Sequence, residues 1–130
     1  MSKRILVIED TEDNRRIIRD LLSSVGYELI EAVDGAEGVA MAQSHIPDLI
    51  LMDVNMPDMD GLQATRAIRA FDSAQQRDVA IIGLTASSHP QDHAACLEAG
   101  MNDVLVKPLN KAHLQTCVEV WLAKKEAAHG

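Results

Sequence analysis

The chain has 130 residues, 47% of them apolar and 25% charged, and carries a net charge of −8 at neutral pH. That length makes one domain, able to bury roughly two-thirds of the surface its unfolded chain exposes. The acidity argues against a phosphate-gripping nucleic-acid face, and no apolar run approaches the ~18 residues that span a membrane.

Nothing at the start reads as a signal peptide: Met1 to Arg4 is basic, but the apolar run Ile5–Ile8 stops at Glu9-Asp10. Cys96 and Cys117 form no CxxC and fall in separate helical patterns, so two reduced, half-buried thiols in a cytoplasmic protein are expected.

RILVI (4–8) opens the chain as a strand. A helix over 12–25 follows, with Ile17, Ile18, Leu21, Leu22 and Val25 at helical spacing, Thr11 as N-cap and Gly26 as terminator. ELIEAV (28–33) is the second strand, and 36–45 a helix weakened by Gly38. DLILM (48–52) is the third strand, 62–71 a helix and 72–78 a polar connection. VAIIGL (79–84), a helix over 90–99 and DVLV (103–106) come next. The last helix, 110–124, places Leu114, Cys117, Val118, Trp121 and Leu122 on one stripe behind an Asn110 cap. The domain is taken as 4–123, with 124–130 a fraying tail.

The third strand is too uniformly apolar to have one wet face, and the first and fourth are nearly so, as in a parallel sheet covered on both faces. The fold class is therefore α/β, a (βα)₅ doubly wound sheet with right-handed crossovers. Ligands of such sheets bind beyond the carboxyl ends of the strands. There the first strand delivers Glu9-Asp10, the third Asp53, the fourth Thr85-Ala86 and the fifth Lys107-Pro108. The second ends in Val33-Asp34-Gly35, an ordinary turn. Each of these groups alone has a bland reading, as a helix cap, a first-turn acid or a strand exit. Their joint arrival at one rim makes a site.

ED after the first strand, MDVNMPDMDG around Asp53, LTA at the fourth strand and GMNDVLVKPL at the fifth together resemble the receiver domains of two-component response regulators. The likeness runs from about Arg4 to Leu122. It implies a flavodoxin-like, five-stranded parallel sheet of order 2-1-3-4-5. With strands ~4.8 Å apart, that order sets Glu9-Asp10 and Thr85 one strand from Asp53. Lys107 is then two strands off, roughly 10 Å at the backbone, a gap its four-carbon stem can largely close.

The resemblance further implies Mg²⁺ held by Asp10, Asp53 and the Asn55 backbone carbonyl, with Glu9 acting through water. Clustered carboxylates repel, and a hard dication with few protein ligands relieves them. Asp53 would then accept a phosphoryl group from phosphohistidine on a sensor histidine kinase or histidine-phosphotransfer protein, with Lys107 shielding charge and Thr85 donating to the phosphate. The loop after Thr85-Ala86 would move, altering the face of the fourth helix, fifth strand and fifth helix that meets a downstream protein. Pro108 would follow a cis peptide bond.

One departure stands out. Family members carry Tyr or Phe where this chain has Val104, and its only aromatics are Tyr27, Phe71 and Trp121. The chain thus has no aromatic at the place where the resemblance implies an aromatic-coupled switch. Arg15, Arg16 and Arg19 read as a solvated helix face, which the resemblance makes a kinase-docking surface. His93 and Cys96 lack two further ligands for a metal.

Two rivals share parts of the pattern. A Mg²⁺-dependent phosphatase of the haloacid dehalogenase type needs an acid two residues after its nucleophile, where this chain has Asn55, an amide unable to transfer protons. A flavin carrier needs a phosphate loop after the first strand, where EDTED would repel it. An enzyme that turns over substrate is thus disfavoured. Nothing after Leu122 reads as an output domain, and the MSKR opening favours a stand-alone receiver over one cut from a hybrid kinase.

Overall fold

The computed structural model describes residues 2–129. Its elements are β1 (Arg4–Ile8), α1 (Glu12–Leu22), β2 (Glu28–Ala32), α2 (Gly35–His45), β3 (Leu49–Asp53), α3 (Gly61–Arg69), α4 (Ala74–Arg77), β4 (Ala80–Thr85), α5 (Pro90–Ala99), β5 (Asp103–Val106) and α6 (Lys111–His129). All strand pairs are parallel, in the order β2-β1-β3-β4-β5.

Alternation along the strands divides the core in two. Ile5, Val7, Leu49, Leu51, Ile82 and Leu84 face α1 and α6, meeting Ile18, Leu22, Leu114 and Val118. Leu6, Ile8, Ile50, Met52 and Ile81 point the other way, against Ala42, Ala64, Ile68 and Cys96 on α2, α3 and α5. Every residue of β3 and β4 is buried. Each large apolar side chain so covered contributes about 1.5–3 kcal/mol over an exposed one.

Local chemistry sets most boundaries. Asp60 caps α3 in a reciprocal box with Gln63. Pro90 begins α5, and Gly100, at φ +117°, ends it. Asp34, read from sequence as an ordinary turn residue, caps α2 by accepting the Glu37 N–H at 2.8 Å. Asn110 caps α6 through the His113 N–H at 3.1 Å, as expected.

The differences are local. Helix α1 stops at Leu22, three residues short of the sequence expectation, and its Thr11 makes no side-chain cap. Ile17, placed on the core stripe, is 48% exposed. The polar connection 72–78 coils into the single turn α4, and α6 continues past the expected end at 124 to His129.

The rim opposite the strand ends described above is held by Arg69. Its guanidinium donates to the carbonyls of Gly100 (2.9 Å), Arg77 (2.6 Å) and Val79 (2.7 Å) and to Asn102 Oδ1 (2.8 Å). Asn102 Oδ1 also accepts the Ile81 N–H at 2.8 Å. One half-buried fork thereby ties α3, α4, β4 and the start of β5 together.

Candidate functional site

The strand register levels the site. Ile8 pairs with Met52 and Asp53 with Leu84, so Glu9 comes level with Asp53, and Thr85 lies one residue beyond it on β4. Glu9 is fully buried and Asp53 is 3% exposed. Lys107 Nζ donates to Glu9 Oε1 at 3.1 Å and to Asp53 Oδ1 at 3.2 Å, closing the two-strand gap. Glu9 Oε2 accepts the Thr11 N–H at 3.1 Å and its hydroxyl at 3.3 Å. Asp53 Oδ1 also accepts the Asn55 N–H at 3.3 Å. Glu9, Asp10 and Asp53 each offer an oxygen within 4.8 Å of the others.

One ammonium bonds to two of the three carboxylates, and the ionisation of the group reflects that. Burial, with the Glu9 charge behind it, pushes the Asp53 carboxyl up to about 6 against the pull of Lys107. Asp10 is raised as well, first by burial and then by Glu9. Burial opposes charge on Glu9 too, but the Thr11 N–H, Asp10 and Lys107 outweigh it and hold that carboxyl below its usual range. The cluster carries more negative charge than the protein neutralises. An all-oxygen donor set with such a surplus fits a hard dication.

The turn after Asp53 explains the MPDMDG sequence. Asp58 sits at φ +66°, a left-handed conformation that Asp tolerates better than most residues. At Gly61 a Cβ would lie 2.5 Å from the Asp53 carbonyl oxygen, so only glycine lets α3 start this close to the site. The Gly61 N–H donates to Val54 O at 3.0 Å and fastens the loop.

The remaining expected residues fall at the same rim. Thr85 is buried, Ala86 exposed, Val104 half-buried, and the Lys107–Pro108 peptide is cis. Tyr27 and Trp121 pack in the α1–α6 core and Phe71 in the opposite one. Cys96 and Cys117 are free thiols, buried and half-buried respectively.

The arginine face is corrected in part. Arg15 is only 11% exposed at its side chain; it donates to Glu9 O at 2.7 Å and pairs with Glu12 and Glu31. Arg19 pairs with the same two acids, leaving Arg16 as the solvated member. Sequence reading also missed the bonds that Ser87 makes to Thr85, Asp92 and His93. TASSHP carried a signal for them, since serines ahead of a helix bond locally.

The pattern describing the response regulator receiver domain matches residues 5–119. The chain belongs to the response regulator receiver family. Among its relatives, the CAI-1 autoinducer sensor kinase/phosphatase CqsS of Vibrio cholerae is 38% identical over 92% of this chain, which spans 17% of that protein. The polar-differentiation response regulator DivK of Brucella abortus is 34% identical over 85% of this chain and 88% of its own length. The receiver domain of the Pseudomonas aeruginosa sensor histidine kinase PA1611, solved with a magnesium ion coordinated in its active site cleft, superposes with a TM-score of 0.86. It is 41% identical, covering 95% of this receiver and 99% of that chain. Fold and strand order are thus those of a receiver, a signal-transducing domain of two-component systems.

Proposed function

We propose that Asp53 of this receiver is the phosphoacceptor, taking a phosphoryl group from phosphohistidine with Mg²⁺ bound among Glu9, Asp10 and Asp53. The observation that carries this reading is the placing of Lys107 Nζ against both Glu9 and Asp53 at the end of a fully buried strand. Bound there, Mg²⁺ supplies positive charge that offsets the approach of an anionic phosphoryl group. Asp10 and Asp53 are the direct ligands in this reading, together with the Asn55 carbonyl, and Glu9 acts through water.

Lys107 holds Asp53 oriented and shields its charge. The Asn55 N–H fixes the second lone-pair direction on Oδ1. The Thr85 hydroxyl donates to the incoming phosphate, which adds about −1.5 to −2 charges. Asn55 offers no carboxyl for proton transfer to water, so the product persists and the domain catalyses only its own phosphorylation and dephosphorylation. A phosphatase acting on other substrates is disfavoured on the same residue.

The donor is a sensor histidine kinase or histidine-phosphotransfer protein. A cleft of about 390 Å³ beside Lys107, lined by Asn14, Ile17, Pro108 and Leu109, supports docking there, with 48%-exposed Ile17 as its apolar contact. The downstream protein meets α5, β5 and α6, where Leu97, Val106 and Val120 are exposed. Residues 4–123 form the signalling unit, with the residues from 124 on, including the end of α6, as its tail. Among the described residues no helix is long and apolar enough to cross a membrane, and the reading places the domain in the cytoplasm, without nucleic-acid or membrane contacts.

The test is incubation with acetyl phosphate and Mg²⁺, followed by peptide mass spectrometry. Label on Asp53, lost in Asp53→Asn, is the expected result. Label elsewhere, or equal labelling of the variant, refutes it. Mg²⁺ alone should raise the thermal midpoint of the wild type and not that of Asp10→Ala.

A further inference from the structure

The β4–α5 loop is tied by a hub that phosphoryl acceptance does not itself require. The Ser87 N–H donates to Thr85 Oγ1 at 3.1 Å. His93 Nε2 lies 2.8 Å from the Ser87 carbonyl oxygen, and because a carbonyl only accepts, that nitrogen carries the proton. The Ser87 hydroxyl donates to Asp92 Oδ2 and accepts the His89 N–H at 3.2 Å.

Ser87 therefore has its N–H, carbonyl and hydroxyl all engaged, one bond reaching back to β4 and three forward to α5 or its cap. The α5 cap residue, His89, contributes no side-chain bond of its own. Filling one lone pair of Thr85 Oγ1 leaves its proton free to point away from the loop. On the neighbouring strand β5, Val104 pairs with Gly83 of β4, and its side chain has no polar atom with which to follow Thr85.

We propose that Ser87 and His93 are the positioning residues that carry a displacement of Thr85 into α5, a regulation of the Asp53 site that rests on the acceptor reading above. His93 stands one turn before Leu97 on α5, and Leu97 is 52% exposed, so a pull on His93 rotates an apolar contact on the surface. Both link bonds use the Ser87 backbone, its N–H and its carbonyl. The hydroxyl bonds keep that backbone stiff enough to transmit motion.

The experiment compares amide hydrogen exchange across α5 before and after treatment of the intact chain with acetyl phosphate and Mg²⁺, with Asp53 labelling measured on the same samples. Wild type, His93→Ala, His93→Gln and Ser87→Ala are used. All four should label Asp53 to the same extent. Phosphorylation should change α5 exchange in the wild type, and His93→Ala should cut that change by at least about half. His93→Gln, whose side-chain amide can donate the same bond, should restore it. Ser87→Ala, which removes only the stiffening bonds, should fall between.

An equal α5 response in His93→Ala and wild type overturns the proposal, as does a labelled wild type whose α5 does not respond. Failure of Gln to rescue overturns the hydrogen bond as the link. Absence of label on wild-type Asp53 instead refutes the acceptor reading and the proposal with it.

Discussion

Replacing Asp53 by Asn should stabilise the metal-free protein. The Asp53 carboxyl ionises near 3.8 without its surroundings and near about 6 in the folded site, because burial and Glu9 oppose its charge. Between those values the folded state holds a proton that the unfolded chain has released, so stability falls as pH rises through the window and the loss is complete above it. At 1.36 kcal/mol per pH unit the cost at pH 7.5 has a ceiling of ~3 kcal/mol. An amide carries no such charge and still accepts from Lys107. Asp53→Asn in EDTA at pH 7.5 should therefore gain about 1–3 kcal/mol, moving a urea midpoint up by roughly 1 M. At pH 4 the gain should shrink below about 1 kcal/mol. Added Mg²⁺ should reverse the order by stabilising only the wild type. A variant no more stable than wild type at pH 7.5, or a gain that does not depend on pH, refutes the charge-surplus reasoning.

Lys107→Ala strips away the ammonium bonded to two buried carboxylates and should cost about 2–4 kcal/mol in EDTA, with part regained on adding Mg²⁺; no recovery would make the lysine purely structural. Arg69→Lys keeps the charge but not the fork that reaches three carbonyls and Asn102, and should lose about 1–3 kcal/mol by chemical denaturation. Gly38→Ala improves helix propensity, yet its Cβ would stand 2.5 Å from Ile8 Cδ1, so it should destabilise by about 1–3 kcal/mol; a gain would show that α2 moves away freely.

Much of this was legible before any coordinates. Strands covered on both faces leave long apolar runs, so β1, β3 and β4 could be located to within a residue, and with the shorter, half-buried β5 their exits named the groups that meet at the rim. Hydrophobic periodicity is blind to what lies beside a helix: Ile17 has helical spacing but lines the cleft next to Lys107. Charge alone could not tell Arg16, which is solvated, from Arg15, which reaches under the helix to the Glu9 carbonyl. That distinction depends on where β2 brings Glu31, a tertiary fact. The Ser87 hub is local instead, its partners two to six residues away, and the serines of TASSHP carried a signal for it. Gly38 was read as a weak point, whereas it is a point of close packing.

The neighbouring acids Glu9 and Asp10 carry equal formal charge but are not interchangeable. One is wholly enclosed, its longer stem spanning to the Lys107 ammonium, while the other stands half open to water beside it. Written in reverse as Asp-Glu, the pair would leave the inner arm a methylene short of its cation and push a bulkier group into the solvent-facing place. Order within a dipeptide, invisible to any tally of charge, thus sets which oxygen is anchored and which stays available.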